Sequence, residues 1–502
     1  VKWTTGAPAY FPTYDMEFVG KLDTVINQPG NPYIDDTDAL EIWKDFEDEY
    51  RIVNGTIQSA YESILKYDGL PKTGSLTPFE EVGLMDLLDE IFPRCVQESK
   101  LLEPNAVLMY MNLKNSSGIL HTHPKSKAID ADWHQMLHFA YRGGYKKQDV
   151  AWKVNQKVEV RLKGKLPRTY VGCPIEFQFL EGRLFYAHLG CYKSRPLETP
   201  SAWGFIRNEH RPLMEHLLGD GPYVTWDGSE YDSRLPNSLV KLFHNWLASC
   251  LIRSNPEFDP EEIDMMVNYH YQQIVHSYCV MPDGAVLQKH RGNPSGNLLT
   301  TWLNIVVNVL MVATCAMRFY EPDPMRFARR VLKRVFVYGD DLAASTGGIP
   351  RIISFWKEYP YLLSHLTGMA SKTNYYNDIR DVDFLGSNSI HISRIDRKVI
   401  LPGVSDRTRF ISSLLHKLSK NVVKDENELL GRTASLYQLI YPLQFSHRPE
   451  ELQLYEDFLS YIAKKFPSLK DGVLHKRAGL DGLYDFHQIA HPVPDGFERS
   501  NF

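Results

Sequence analysis

The sequence predicts an α+β fold in which an antiparallel sheet is flanked by helices. Three observations carry this. In Phe336-Val337-Tyr338-Gly339-Asp340-Asp341-Leu342-Ala343-Ala344, two short apolar runs flank a Gly-Asp step, the pattern of a buried antiparallel hairpin. Tyr223-Val224-Thr225-Trp226 follows a Gly221-Pro222 break and reads as a strand with Asp227 at its end. From about residue 405 onward the pattern is mainly helical, with helices expected at Phe410 to Leu418, Glu426 to Ile440 and Glu450 to Phe466.

The 502 residues are enough for one large body with subdomains, and 43% hydrophobic with 12% aromatic residues fits a sizeable core. The net charge of −5 gives no global attraction to polyanions, so any anion site is local. Six scattered cysteines (Cys95, Cys173, Cys191, Cys250, Cys279, Cys315) form no CxxC pair and read as reduced thiols. No cleavable signal pattern opens the chain. The longest apolar helix candidate, Leu298 to Met317, is interrupted by Thr300, Asn304 and Asn308. The chain begins with Val1 rather than Met, which fits a product cut from a longer precursor or an artificially chosen start.

Taken in order, residues 1 to about 60 mix aromatics, Pro and acids without a period and read as an extended arm with short helices. Thr77-Pro78-Phe79-Glu80-Glu81 is a helix start, with Thr as cap, Pro in the first turn and early acids. Asn112-Leu113-Lys114-Asn115-Ser116-Ser117-Gly118-Ile119 is a polar loop with backbone amides free to meet phosphates, or an ordinary surface turn. His134 and His138 have zinc-compatible spacing, but no ligand set completes a site, so they read as ordinary polar histidines.

Between Arg142 and Arg168 nine basic residues face only Asp149 and Glu159. The expected element is a basic hairpin, 158–162 turning at Gly164 and returning through Arg168-Thr169-Tyr170-Val171. Beyond Asp227, Asp232 follows five residues on, and Pro236 opens a helix over Leu239 to Leu251. Pro282-Asp283-Gly284 is a turn leading to the basic Gly-rich loop Lys289-His290-Arg291-Gly292-Asn293-Pro294-Ser295-Gly296, which feeds the long helix. After the central hairpin come a helix (Ile353 to Leu366), Lys372 beyond Gly368, and a turn at Phe384-Leu385-Gly386-Ser387.

These residues compose one chemistry. Transfer of a nucleotide to a 3′-hydroxyl by two Mg²⁺ or Mn²⁺ ions roughly 3.5–4 Å apart needs carboxylates converging from separate strands. Asp227 with Asp340 and Asp341 supplies them if the strands are neighbours. Gly-Asp alone is ordinary turn chemistry, so the argument rests on the accompanying parts. Arg161, Lys163, Lys165 and Arg168 are cations for a triphosphate. Asp232, Ser295, Thr300 and Asn304 suit a ribose 2′-hydroxyl, which both donates and accepts. Thr300 and Asn304 are four apart and share a helix face. Lys372 is a candidate acid for the pyrophosphate leaving group.

The ordered set Asp227-x4-Asp232, Ser295-Gly296-x3-Thr300-x3-Asn304 and Tyr338-Gly339-Asp340-Asp341 resembles motifs A, B and C of positive-strand RNA virus RNA-dependent RNA polymerases. It looks closest to the potyvirus- and astrovirus-like branch of the picornavirus-like group. Asp227-Gly228-Ser229-Glu230-Tyr231-Asp232-Ser233 resembles the potyvirus form of motif A. Met281-Pro282-Asp283-Gly284 and the 289–296 loop resemble that branch's approach to motif B, and Ala202-Trp203-Gly204-Phe205 its segment before motif A. Ser116, Ser117 and Gly118 lie in a stretch similar to motif G, which guides the template. Lys165-Leu166-Pro167-Arg168-Thr169 is similar to motif F but has one extra residue between Lys and Arg. Lys372 and Phe384-Leu385-Gly386 stand where motifs D and E lie.

The resemblance is specific over about 112–390. It implies a closed right hand: fingers over 1–222, with the N-terminal arm, and 257–293; palm over 223–256 and 294–390; helical thumb over 391–502. It implies Asp227 and Asp340 as principal metal ligands with Asp341 supporting, Asp232, Ser295 and Asn304 as ribose contacts, and Ser295 and Gly296 in the nucleotide-binding loop. The implied partners are an RNA template and nascent strand, NTPs, a small protein primer and other viral replication proteins. The implied setting is a membrane-associated replication complex in host cytoplasm. A reverse transcriptase is the nearest rival, and Asp232 with Asn304 argues against it. A non-catalytic RNA-binding scaffold is the other, and the retained carboxylates with Lys372 argue against that.

Overall fold

A computed structural model describes residues 3–4, 15–22, 41–43, 50–53, 55–69, 74–115, 117–118, 124–157, 159–162, 164–393, 398–408, 410–411, 414, 425–467, 474 and 476–478. The apolar runs around Gly339 form a hairpin: Val335–Tyr338 pairs antiparallel with Asp341–Ser345, Phe336 opposite Ala343 and Tyr338 opposite Asp341. Gly339 sits at φ +65°, a left-handed position that a two-residue hairpin turn requires and a side chain disfavours.

The hairpin belongs to a four-stranded antiparallel sheet ordered Val335–Tyr338, Asp341–Ser345, Tyr223–Gly228, Ser371–Tyr376. Its outer edge is pinned by the 200–202 segment: Ala202 N donates to Val337 O and Val337 N to Pro200 O, each at 2.8 Å. Behind the sheet lies the helix Thr300–Phe319, apolar on nearly every face and buried along almost its whole length. It is long and apolar enough to cross a membrane by composition, but 89% of its most apolar window is buried inside the protein. The helices Asn237–Ser254, Pro324–Leu332 and Pro350–Thr367 pack around it.

Helix starts follow the local chemistry. The helix Pro78–Ile91 opens on Thr77, whose hydroxyl accepts from Glu80 N while Glu80 reaches back to Thr77 N at 2.8 Å. The helix Glu426–Ile440 is capped by Asp425. All six cysteines are buried and unbridged.

A second, six-stranded sheet combines Trp3–Thr4, Glu17–Leu22, Ala285–Gln288, Tyr278–Val280, Ala151–Gln156 and Thr169–Gly172, in that order. Here the expected basic hairpin is corrected. Thr169–Gly172 pairs with Ala151–Gln156, not with 158–162. Trp152 and Val154 bury one face of Ala151–Gln156, and that alternation gives it the stronger claim to the sheet. Glu159–Leu162 leaves the hairpin and pairs with Tyr50–Val53 of the N-terminal arm. Among the described residues the arm contributes these strands as well as helix, at 41–42 and Ile57–Ile64.

A separate core joins the strand pair Ser389–Ser393 and Lys398–Pro402 to the C-terminal helices Glu426–Ile440 and Pro449–Lys465. Trp43, from the N-terminal arm, is buried in that core with its ring 5.7 Å from Tyr461. The two ends of the chain are therefore joined across the molecule. Of the expected helix Phe410 to Leu418, only 410, 411 and 414 are described.

A closed polar chain runs through the main core. Glu181, fully buried on the helix Ile175–Gly190, accepts from Leu298 N at 3.1 Å and faces His270 Nε2 at 2.9 Å. His270 Nδ1 meets His244 Nε2 at 3.0 Å, and His244 Nδ1 meets Val240 O at 2.7 Å. A carbonyl only accepts, so His244 carries its proton on Nδ1, His270 carries its own on Nδ1, and Glu181 supplies the proton between it and His270. Burial agrees with this neutral arrangement: it pushes Glu181 up to about 8 and His270 down to about 3.

Candidate active site

A cleft of about 640 Å³ opens at the end of the four-stranded sheet. Its walls gather residues read separately from the sequence: Arg161, Lys165 and Arg168 from the basic segment, Asp232, Ser295 and Asn304, and Asp340 from the hairpin tip. Its lining combines cations with the carboxylates of Asp232, Glu230 and Asp340, chemistry that can hold a polyanion while orienting its neutral part.

The sheet register explains why the carboxylates meet. Leu342 pairs with Trp226, and continuing that ladder one step sets Asp341 beside Asp227. On the other side Lys372 pairs directly with Asp227. Residues paired across an antiparallel ladder leave the sheet on the same face, so Lys372, Asp227 and Asp341 form a row there. Asp340 and Asp227 are exposed and Asp341 is half-buried. The three carboxylates stand at adjacent strand ends without closing into one cluster; among the described residues no three Asp, Glu, His or Cys side chains are gathered to hold an ion. The donor set itself, two or three accessible carboxylates, is the hard-oxygen chemistry of Mg²⁺ and Mn²⁺.

Asp232 leaves the strand on a short helical turn, Tyr231–Arg234, entered through Glu230 in a left-handed conformation (φ 57°). The turn is anchored by Tyr231 Oη, which donates to Asn304 O at 2.8 Å, and by Glu230, which faces Arg234 at 2.8 Å and Lys66 at 3.4 Å. Asn304 Nδ2 donates to Asp232 Oδ1 at 2.7 Å. Burial pushes the Asp232 carboxyl up to about 6; the Asn304 amide opposes the rise and the nearby Asp340 charge adds to it.

The loop 289–297 is held from beneath. Lys289 is fully buried and its ammonium donates to the carbonyls of Ile274 (2.6 Å), Val275 (3.3 Å), Arg291 (2.9 Å) and Gly292 (3.2 Å). Tyr67 Oη donates to Asn293 O at 3.0 Å. Ser295 Oγ accepts from Val171 N at 3.4 Å and Gly296 bridges Gly172, so this loop is joined to the strand Thr169–Gly172.

Several predicted residues are placed elsewhere. Gly296 packs against Val171 and Gly172, not into the cleft; a Cβ there would lie 2.0 Å from Val171 O. Thr300 donates its hydroxyl to Asn297 O (3.0 Å) and Pro294 O (3.3 Å), serving the loop-to-helix junction. Ser117 is fully buried, its carbonyl accepting from Ile175 N at 3.0 Å, and Gly118 (φ 99°) packs against Pro174. The 117–118 segment thus seats the start of the helix Ile175–Gly190, and its side chains are not presented to a ligand. Lys163 and Ser116 lie outside the described residues. Ser63, Lys66, Tyr67, Lys157 and Glu230 also line the cleft. Of these only Lys157 and Glu230 stood inside stretches with a sequence signal; Ser63, Lys66 and Tyr67 come from an unmarked helix end.

The viral RNA-dependent RNA polymerase family matches residues 142–441 of this chain. The non-structural polyprotein 1AB of Ovine astrovirus 1 is 27% identical over 154 residues, 29% of this chain and 11% of that polyprotein. The genome polyprotein of Blackberry virus Y is 29% identical over 230 residues, 43% of this chain and 6% of the polyprotein. The chain therefore spans about a tenth or less of these relatives. Among solved structures, a Sicinivirus 3Dpol RNA dependent RNA polymerase superposes with a TM-score of 0.63 at 19% identity, covering 90% of this chain and 98% of that one.

Proposed function

Because the chain belongs to the viral RNA-dependent RNA polymerase family and has its right-hand fold, we propose that it copies an RNA template into RNA from NTPs. The observation that carries this is the single cleft lined by Arg161, Lys165, Arg168, Asp232, Ser295, Asn304 and Asp340. Arg161, Lys165 and Arg168 neutralise the triphosphate, with Lys163 on the same segment. Asp232 and Asn304, beside Ser295, bond the ribose 2′-hydroxyl, which a deoxynucleotide lacks. Gly296 and Thr300 act indirectly, by shaping that loop.

Asp227 and Asp340, supported by Asp341, would hold two Mg²⁺ or Mn²⁺ ions. When bound, such ions would supply Lewis-acid chemistry, easing loss of the 3′-hydroxyl proton and offsetting charge on the triphosphate. The 3′-hydroxyl gives its proton to solvent as its oxygen bonds to the α-phosphorus and the bond from that phosphorus to the bridging β-phosphate oxygen breaks. Pyrophosphate leaves with a proton from Lys372, which shares its sheet face with Asp227. In this reading fingers comprise 1–222 and 257–293, palm 223–256 and 294–390, and thumb 391–502. The 117–118 segment acts on the template path only indirectly, by seating the helix Ile175–Gly190.

The test is nucleotide incorporation on a primed RNA template by the wild type beside Asp340→Ala. Equal incorporation by both would sink the assignment of the site. Protein-primed initiation on a small viral protein, within a membrane-associated complex in host cytoplasm, is the setting we infer from the polyprotein relatives. Starts that carry only a free 5′-triphosphate would count against the protein primer.

A further inference from the structure

We propose that Asn293 is a positioning residue for sugar selection: by donating to the Asn304 carbonyl it holds that amide in place against Asp232, and Asn297 in turn holds Asn293. The inference rests on the reading of Asp232 and Asn304 as the ribose contact.

The argument is one of direction. Three side-chain amides stand in line, all buried: Asn297 Nδ2 donates to Asn293 Oδ1 at 2.7 Å, Asn293 Nδ2 to Asn304 Oδ1 at 3.0 Å, and Asn304 Nδ2 to Asp232 Oδ1 at 2.7 Å. An ionised carboxylate only accepts, so Asn304 must turn its NH₂ toward Asp232. Its carbonyl then faces Asn293, which must donate, and the Asn293 carbonyl requires a donor from Asn297. Reversing any one amide sets oxygen against oxygen or NH₂ against NH₂ at both of its contacts. The strain is left at the far end, where Asn297 Oδ1 is buried with no protein partner. Asn297 is itself held by a second bond from Nδ2 to Pro294 O at 2.6 Å.

The consequence for the ligand is specific. Asn304 held in this sense keeps Asp232 oriented, with its remaining acceptor capacity available to a sugar hydroxyl. Without Asn293 the Asn304 carbonyl loses its buried donor, and the amide is held only at its Asp232 end. The carboxylate then keeps its partner but loses its fixed direction. Backbone contacts do not duplicate this role, because Tyr67 and Tyr231 bind the main-chain carbonyls of Asn293 and Asn304 and leave the amides untouched.

The experiment measures kcat/KM for single additions of an NTP, its 2′-deoxy analogue and its 3′-deoxy analogue on a primed RNA template. It uses the wild type, Asn293→Ala, Asn293→Ser and Asn304→Ala. Asn293→Ala should lower the preference for NTP over the 2′-deoxynucleotide about tenfold, the scale of one hydrogen bond. The 3′-deoxynucleotide, which keeps the 2′-hydroxyl, should fall with the NTP. Adding Asn293→Ala to Asn304→Ala should change the ratio no further. If Asn293→Ala does not fold, Asn293→Ser carries the same test. Equal losses on all three substrates, or an unchanged ratio, would overturn the proposal. Failure of the wild type to add any nucleotide would instead overturn the polymerase reading beneath it.

Discussion

Replacing Glu181 by Gln tests the buried proton directly. Glu181 is fully enclosed, accepts from Leu298 N and, protonated, donates a hydrogen bond to His270 Nε2. Burial raises its pKa from an ordinary 4.5 to about 8, with Leu298 N–H, Lys125 and Cys173 opposing the rise. Between those two values the folded protein holds one proton more than the unfolded chain. The stability linked to this group is therefore complete below about pH 4.5 and is lost as pH rises toward 8, at about 1.4 kcal/mol per unit. Above about 8 both states are ionised and the slope ends.

Glu181→Gln puts an N–H where the acid has its O–H and keeps the acceptor for Leu298, so it should fold normally and lack this slope. The stability difference between variant and wild type should move by about 3 kcal/mol in favour of Gln from about pH 5.5 to about 7.5. Contributions from His244 and His270 are common to both proteins and cancel. The assay is paired urea or thermal melts of the two proteins across that range. Parallel curves would refute the reasoning. So would a Gln variant strongly destabilised at every pH, which would put the proton on His270 and leave Glu181 as a carboxylate.

Other expectations follow from the same geometry. Asp340→Asn should reduce incorporation at least about 100-fold, while Asp341→Asn should keep appreciably more activity; equal losses would remove the distinction between them. Gly296→Ala drives a methyl group into the Val171 carbonyl and should cost about 1–3 kcal/mol in melting experiments as well as activity. An unchanged melting temperature would show that the loop and the strand are not in fixed contact. Lys289→Met leaves carbonyls without their common donor and should cost about 2–4 kcal/mol, read as a lowered Tm. A neutral outcome would mean that water replaces the ammonium there.

What the sequence made legible was local or stereotyped. The Gly339-Asp340 turn between apolar runs, the Thr77 cap with Glu80, and the Pro282-Asp283-Gly284 turn each encode their conformation within a few residues. Their elements lie where expected, with ends shifted by a residue or two. Pairing at a distance was not legible. Alternation marks 159–162 as a strand, but nothing in it names Tyr50–Val53 as partner, and the nearer Thr169–Gly172 was the natural choice. The burial of Ser117 was hidden in the same way, since a small polar residue serves a packed helix start as well as an exposed loop. Within the site, residue types with one plausible chemistry stood out, as carboxylates at strand ends and clustered cations do. Asn293 and Lys289 stood in the marked loop and Asn297 just beyond it, but their roles depend on hydrogen-bond direction and burial, which composition does not carry.

The helix Thr300–Phe319 has a consequence beyond its place in the core. Asn304 reaches Asp232 from it, and Asn308, one turn further, donates to Gly339 O at 3.3 Å. The proposed sugar contact and the carboxylate hairpin are therefore both held from one helix, only one turn apart. A rotation of that rod is expected to displace both. Volume changes around Met311 or Cys315, far from any nucleotide, should degrade sugar choice and turnover in step. Selective pressure on either property is thus pressure on the packing of the whole rod.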